Sequence, residues 1–149
     1  MPEIIRFYLG EEPILKNIKT WKCYNKKELN YVISNLEKLV VKEVHGSGGY
    51  GMLIGSKASK KELSSFKNKI LKFPDNFIAQ PILQLSTVPI FDKSFLSDRH
   101  VDLRPFSLIG HKKFKLVSGG LTRVALKKNS LIVNSSQGGG VKDTWVLAD

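Results

Sequence analysis

Leu39-Val40-Val41-Lys42-Glu43-Val44-His45-Gly46-Ser47-Gly48-Gly49-Tyr50-Gly51-Met52-Leu53-Ile54-Gly55 is an apolar strand carrying one lysine, a glycine-rich loop and a second short apolar strand. Glycines let backbone N–H groups approach an anion without Cβ atoms in the way, and successive donors in such a turn form a concave anion site. Lys42 adds a point charge at the floor of that turn. A Walker loop ends in Gly-Lys-Ser/Thr and opens a helix, and a dinucleotide fingerprint also runs from strand to helix. Neither fits, because Met52, Leu53 and Ile54 are too short and too apolar for a helix start and read as a return strand. The segment is a hairpin flap. Its residues alone leave two readings open: a cover over phosphates, or a hairpin turn with no ligand.

Outward from the flap the periodicity is helical on both sides. Asn25 and Glu28 have capping-box spacing, and Leu29, Val32, Ile33, Leu36 and Leu39 follow at helical intervals. Ser59 and Glu62 repeat the cap, Leu63, Phe66, Ile70 and Leu71 form an apolar face, and Pro74 ends the helix. Upstream, Ile4 to Tyr8 reads as a short strand followed by a Gly10-Glu11-Glu12-Pro13 turn. Downstream, strands are expected at Phe77 to Ile82, Arg99 to Leu108, Phe114 to Val117, Leu121 to Leu126, Leu131 to Val133 and Thr144 to Leu147. Gly119-Gly120 and Lys128-Asn129 supply tight connections, and Gln84 to Asp98 is the longest expected loop. The fold class is α+β, with two amphipathic helices and mixed or antiparallel sheets. Its expected organisation is an entry segment 1–24, a helix and flap region 25–75 and a strand-rich part 76–149.

Lysine and arginine number 24 against 13 acidic residues in 149, a net charge of +11 that favours polyanionic partners. The lysines are spread rather than gathered into an arm, and lysine in excess over arginine suits a solvated surface better than base reading. Cys23 is the only cysteine, which excludes a disulfide framework and a thiolate metal site. With no leader-like start and no apolar run near the roughly 20 residues that span a bilayer, a cytoplasmic protein without a membrane partner is expected.

Three further segments embed polar residues in apolar strand sequence. Arg99 to Phe106 places His100, Asp102 and Arg104 on one face by period two. Arg123 interrupts the core-like Gly119 to Leu126, and Val133-Asn134 leads into a second glycine loop, Gly138 to Gly140. Each could be a structural feature, Asp102 with Arg123 forming an ion pair for example. His100 reads first as a packed or hydrogen-bonded structural histidine.

Taken together, Lys42 and its flap, Phe77-Ile78-Ala79-Gln80-Pro81, Asp102-Leu103-Arg104, the Arg123 strand and Asn134 with its glycine loop resemble the carboxy-terminal portion of circularly permuted (type 2) ATP-grasp proteins. The resemblance implies an incomplete ATP-grasp-like domain and a part in an ATP-dependent carboxylate–amine ligase that activates its substrate as an acyl phosphate. By that resemblance Lys42 contacts ATP phosphates beneath the flap His45, Gly46, Ser47, Gly48, Gly49, Tyr50 and Gly51. Gln80, Pro81 and Ile82 meet adenine through backbone groups; Pro81 can accept there but not donate. Asp102 lies near the ribose, with Arg104 orienting it. Arg123 and Asn134 serve as catalytic residues near the transferred phosphate, where a cation and an amide stabilise developing charge.

The family also holds Mg2+ through a carboxylate and a Glu-x-Asn pair on adjacent strands. The one such string here, Glu28-Leu29-Asn30, falls on a helix where Glu28 is a cap, so no metal ligand is assigned and the magnesium ligands are expected mainly outside this chain. Three explanations stay open: part of a larger enzyme, a subunit whose amino-terminal partner chain supplies the metal ligands, or a degenerate nucleotide-binding remnant. In each case the chain alone is expected to be inactive, and exposed apolar surface would favour self-association. The rival class is a basic nucleic-acid-binding module using Trp21, Tyr24, Tyr50 and Trp145 for stacking. The aromatics do not form a stripe with the basic residues, which weighs against it.

Overall fold

Alternation along the lysine-bearing strand decides how its sheet is covered. In the computed structural model, which describes residues 1–46, 50–92, 95–134 and 139–147, Leu39 and Val41 are buried while Val40 and Lys42 between them are half-buried. The chain divides into two compact units, Met1–Ile82 and Leu83–Asp149. All strand pairings among the described residues are antiparallel. With the helices on the first unit, this is an α+β fold.

The first unit contains α1 (Pro2–Leu9), β1 (Trp21–Lys22), α2 (Lys26–Ser34), β2 (Leu39–Glu43), β3 (Met52–Ile54), α3 (Lys60–Lys72) and β4 (Phe77–Pro81). Its sheet runs β1-β4-β2-β3. β2 and β3 pair as a hairpin with Val40 opposite Ile54 and Lys42 opposite Met52. Trp21, Leu39, Val41, Leu53, Phe77 and Ala79 from one side of the strands join Val32 of α2 and Ile70 of α3 in the core. The other side carries Val40, Lys42, Met52, Ile54, Ile78 and Gln80, all half-buried.

Caps fix the two core helices. Asn25 accepts from the Lys27 and Glu28 N–H groups at the start of α2, but the reciprocal half of the expected box is absent, because the Glu28 carboxylate accepts from the Lys22 N–H. Ser59 and Glu62 form the full box at α3. Ser59→Ala removes the hydroxyl acceptor and should cost about 1 kcal/mol of stability, read as a lower urea midpoint at unchanged slope.

The expected strand Ile4 to Tyr8 is instead α1, so the described residues hold three helices rather than two. Pro2 sits in the first turn, where no N–H is needed. Gly10 closes the helix at φ 66°, its N–H bonded to Arg6 O. Ile4, Phe7 and Tyr8 recur at helical spacing and remain exposed.

The second unit contains β5 (Thr87–Asp92), β6 (Phe95–Arg104), β7 (Ser107–Ile109), β8 (Phe114–Leu116), β9 (Gly120–Val124) and β10 (Gly140–Thr144). Its larger sheet runs β10-β9-β6-β5, and β7 and β8 form a separate hairpin. The expected loop Gln84 to Asp98 proves to hold β5 and the start of β6. Pro89, which argues against a central strand, is accommodated because β5 is an edge. Pro105 has no N–H to donate, and it separates β6 from β7 where one continuous strand was expected. No strand forms at 131–133, and the last strand lies at Gly140–Thr144 rather than Thr144 to Leu147. The tight connections hold, with Gly119 at φ 98° and Asn129 at φ 61°.

Candidate functional site

Lys42 is delivered by β2 to the half-buried side of the first sheet. Val40 pairs with Gln80, so Lys42 and Gln80 share that side one diagonal step apart. The Lys42 ammonium donates to Gln80 Oε1 at 2.8 Å. Gln80 Nε2 donates to Thr20 Oγ1 at 2.9 Å, and the Thr20 hydroxyl donates to Ile18 O at 3.1 Å. A cation held in this way is suited to phosphate or carboxylate oxygens. The sequence marks Lys42 and Gln80. It gives no sign of Thr20, whose position depends on β1 pairing with β4.

Of the flap, His45, Gly46, Tyr50 and Gly51 are described, whereas Ser47, Gly48 and Gly49 lie outside the described residues. The Gly46 N–H bonds to Glu43 O at 3.2 Å, so this donor closes the turn. Gly51 lies at φ +67°, and a Cβ there would come within 2.7 Å of the Glu43 carboxyl carbon. Tyr50 and His45 are exposed. His45 lines a depression of about 320 Å3 with Glu43, Lys69, Phe73, Asn76 and Phe77. Pro81 ends β4 opposite Leu39, and Ile82 follows it half-buried.

In the second unit Asp102 on β6 pairs directly with Arg123 on β9. The guanidinium is bidentate: Arg123 Nε donates to Asp102 Oδ1 at 2.8 Å and Arg123 NH2 donates to Oδ2. Arg104 Nε lies 3.6 Å from Oδ2. The hydrogen bonds from Arg123 hold the Asp102 carboxyl below the ordinary aspartate range, and the same bonds raise Arg123. His100 Nδ1 bonds to Leu85 O at 3.0 Å, which makes Nδ1 the protonated nitrogen, since a carbonyl only accepts. Asn134 is half-buried, and its carbonyl accepts from the Gly139 N–H at 3.0 Å. The glycine at 139 permits a close approach, because a Cβ there would fall 2.5 Å from Val133 O.

Arg123→Ala would leave a part-buried carboxylate beside Arg104 alone, and should cost about 1 to 2 kcal/mol, between the exposed and buried limits for ion pairs. The pH dependence has a definite sign. A depressed folded value means the Asp102 contribution is present above its ordinary value of 3.8 and is lost as pH falls through the folded value. Urea unfolding followed down through this range should therefore show a smaller acid-side loss in Arg123→Ala than in the native chain.

Arg99 is the residue that sequence reasoning overlooked. It faces the opposite side of β6 from Asp102 and is the buried charged side chain among the described residues. Its guanidinium donates to Leu126 O at 3.1 Å, to Asp98 O at 3.0 Å and to the Ser97 hydroxyl. Trp21 is buried and stacks on Tyr31 with ring centroids 4.8 Å apart, so it is a core side chain and not a stacking platform. Burial pushes the Cys23 thiol up to about 11, which leaves it unreactive at neutral pH. Among the described residues, no three or more His, Cys, Asp and Glu side chains gather as a metal site, and no helix is long and apolar enough to cross a membrane.

A model of the circularly permuted ATP-grasp type 2 family matches residues 1–125. The chain belongs to this family. The match covers α1 through β9 and therefore includes Lys42, Gln80, Asp102 and Arg123. Asn134 and β10 lie beyond it. An uncharacterized protein of Synechocystis sp. is 52% identical over 147 residues, covering 99% of this chain and 31% of that protein. One from Mycobacterium tuberculosis is 48% identical over 148 residues, again 99% of this chain but 27% of the relative. A Frankia casuarinae protein named "Putative glutamate--cysteine ligase 2-2" is 42% identical over 146 residues, 98% of this chain and 17% of that protein. The chain thus spans less than a third of the length of these relatives, and all three alignments reach past Asn134.

Proposed function

We propose that this chain is the ATP-binding portion of an ATP-dependent ligase that joins a carboxylate to an amine through an acyl phosphate. The observation that carries the reading is Lys42, an ammonium held by Gln80 on a half-buried sheet side next to a glycine turn, in a chain of the ATP-grasp family. The name of the Frankia relative supports a ligase of an amino-acid carboxylate.

Lys42 binds phosphate oxygens, and the His45 to Gly51 flap covers them. Gln80, Pro81 and Ile82 meet the adenine through backbone groups. Asp102, with Arg104 beside it, accepts from ribose hydroxyls; each carboxylate oxygen has a second lone pair beyond the one that Arg123 engages. Arg123 and Asn134 stabilise charge at the transferred phosphate. ATP supplies the phosphoryl group that activates the carboxylate.

Magnesium does not fit the described residues of this chain. No acidic cluster is present among them, and Asp102 is already matched by two guanidinium groups. Its ligands belong to a further part of a longer protein or to a partner chain. Such a part would also cover Phe7, Leu15, Ile109 and Leu147, which are largely exposed here. The test is calorimetric titration of ATP with magnesium into the full chain. A saturable one-to-one isotherm is expected, and an absence of binding would overturn the nucleotide reading for this chain.

A further inference from the structure

The Lys42 ammonium sits at the end of a hydrogen-bonded row whose direction is fixed at its far end. Ile18 O can only accept, so the Thr20 hydroxyl must donate to it, at 3.1 Å. The Thr20 oxygen then accepts from Gln80 Nε2 at 2.9 Å. With its NH2 turned to Thr20, Gln80 presents Oε1, and only Oε1, toward Lys42 at 2.8 Å. Reversing the amide would set an NH2 group against an ammonium, two donors facing each other. The hydroxyl therefore selects the amide orientation that can hold a cation.

We propose that Thr20 is a positioning residue for Lys42, acting through Gln80. The row crosses from the segment before β1, through β4, to β2, and all three elements belong to the first unit. It gives a function to the short strand Trp21–Lys22, whose pairing with Ala79 and Ile78 brings Thr20 beside Gln80. A lysine has a long, flexible stem with three donors. Engaging one donor with Gln80 fixes the ammonium on the sheet and points the group at an anion with little further ordering. The proposal rests on the phosphate-binding role of Lys42 for its consequence, but not for its geometry.

The test compares Thr20→Val, which keeps the shape and removes the hydroxyl, with Thr20→Ser, which keeps the hydroxyl. Two readouts are taken on the full chain: NMR order of the Lys42 ε-methylene without nucleotide, and the Kd for ATP with magnesium. Thr20→Val should lower the order at Lys42 and weaken ATP about fivefold, the equivalent of one lost hydrogen bond of about 1 kcal/mol. Thr20→Ser should match the native chain in both. Unchanged order at Lys42 in Thr20→Val, or an equal loss in Thr20→Ser, would overturn the proposal. If the native chain binds no ATP, the nucleotide reading falls, and the order measurement alone decides the role of Thr20. Should Thr20→Val fail to fold, Gln80→Met removes the same two bonds from the neighbouring strand and is held to the same order criterion.

Discussion

Lys42→Ala should weaken ATP binding by about ten- to a hundredfold, the range for losing hydrogen bonds from a charged group worth about 1.5 to 3 kcal/mol. The loss is expected to fall on binding and not on folding. Lys42 lies on the half-buried side of β2, whereas the core is built from Leu39 and Val41 on the other side. Gln80 keeps Thr20 as a partner and sits where water can satisfy its freed oxygen, so the urea midpoint should move by no more than about 0.5 kcal/mol in free energy. Lys42→Arg keeps the charge but replaces a compact point charge with a longer, planar fork, and should recover only part of the affinity. Calorimetric Kd values for the three proteins check this. Equal affinity in Lys42→Ala and the native chain would remove Lys42 from the site even if ATP binds.

Gly55→Ala should destabilise the chain by about 3 kcal/mol, the upper range for forcing atoms into a packed interior. The reason is a close approach and not an unusual backbone conformation. Gly55 is buried at the start of the 3-10 turn Gly55–Lys57, and a Cβ there would fall 1.8 Å from Leu36 O and 2.8 Å from backbone atoms of Glu37. Those obstructing atoms belong to the 3-10 turn Leu36–Lys38, which leads directly into β2, so relief requires moving the strand that carries Lys42. Gly10 is the contrast. It has φ +66° with nothing near its missing Cβ, and Gly10→Ala should cost only the left-handed backbone penalty of about 1 to 2 kcal/mol. Urea midpoints of the two variants give the comparison. A Gly55→Ala cost no larger than that of Gly10→Ala would contradict the tight packing of the two turns.

Much of the first unit was legible because its signals are local. The Ser59 and Glu62 box, the helical spacing through Ile70, and the lysine-bearing hairpin each depend on residues within a few positions of one another. Where the reading failed, a local preference was outvoted. Ile4 to Tyr8 is rich in β-branched and aromatic residues, yet Pro2 and Gly10 frame it as a helix. Thr87–Asp92 lies within the expected loop Gln84 to Asp98, and its edge position in the sheet lets a strand there carry Pro89. Glu28 has the spacing of a reciprocal cap but bonds to Lys22, an alternative that exists only because β1 folds back beside α2.

The candidate site divides in the same way. The hairpin, the strand position of Lys42 and the face shared by His100, Asp102 and Arg104 were readable along the chain, since period-two alternation and glycine turns are written in short segments, and the likeness to the ATP-grasp family was carried by the order of the motifs as a resemblance. Tertiary structure alone decided which polar groups meet. Thr20 reaches Gln80 across 60 positions, Gln80 reaches Lys42 across 38, and Arg123 reaches Asp102 across 21. It also buried Arg99 on the side of β6 away from Asp102. Such pairings depend on strand register and sheet order, which are set by how the apolar faces pack, and no spacing along the chain encodes them.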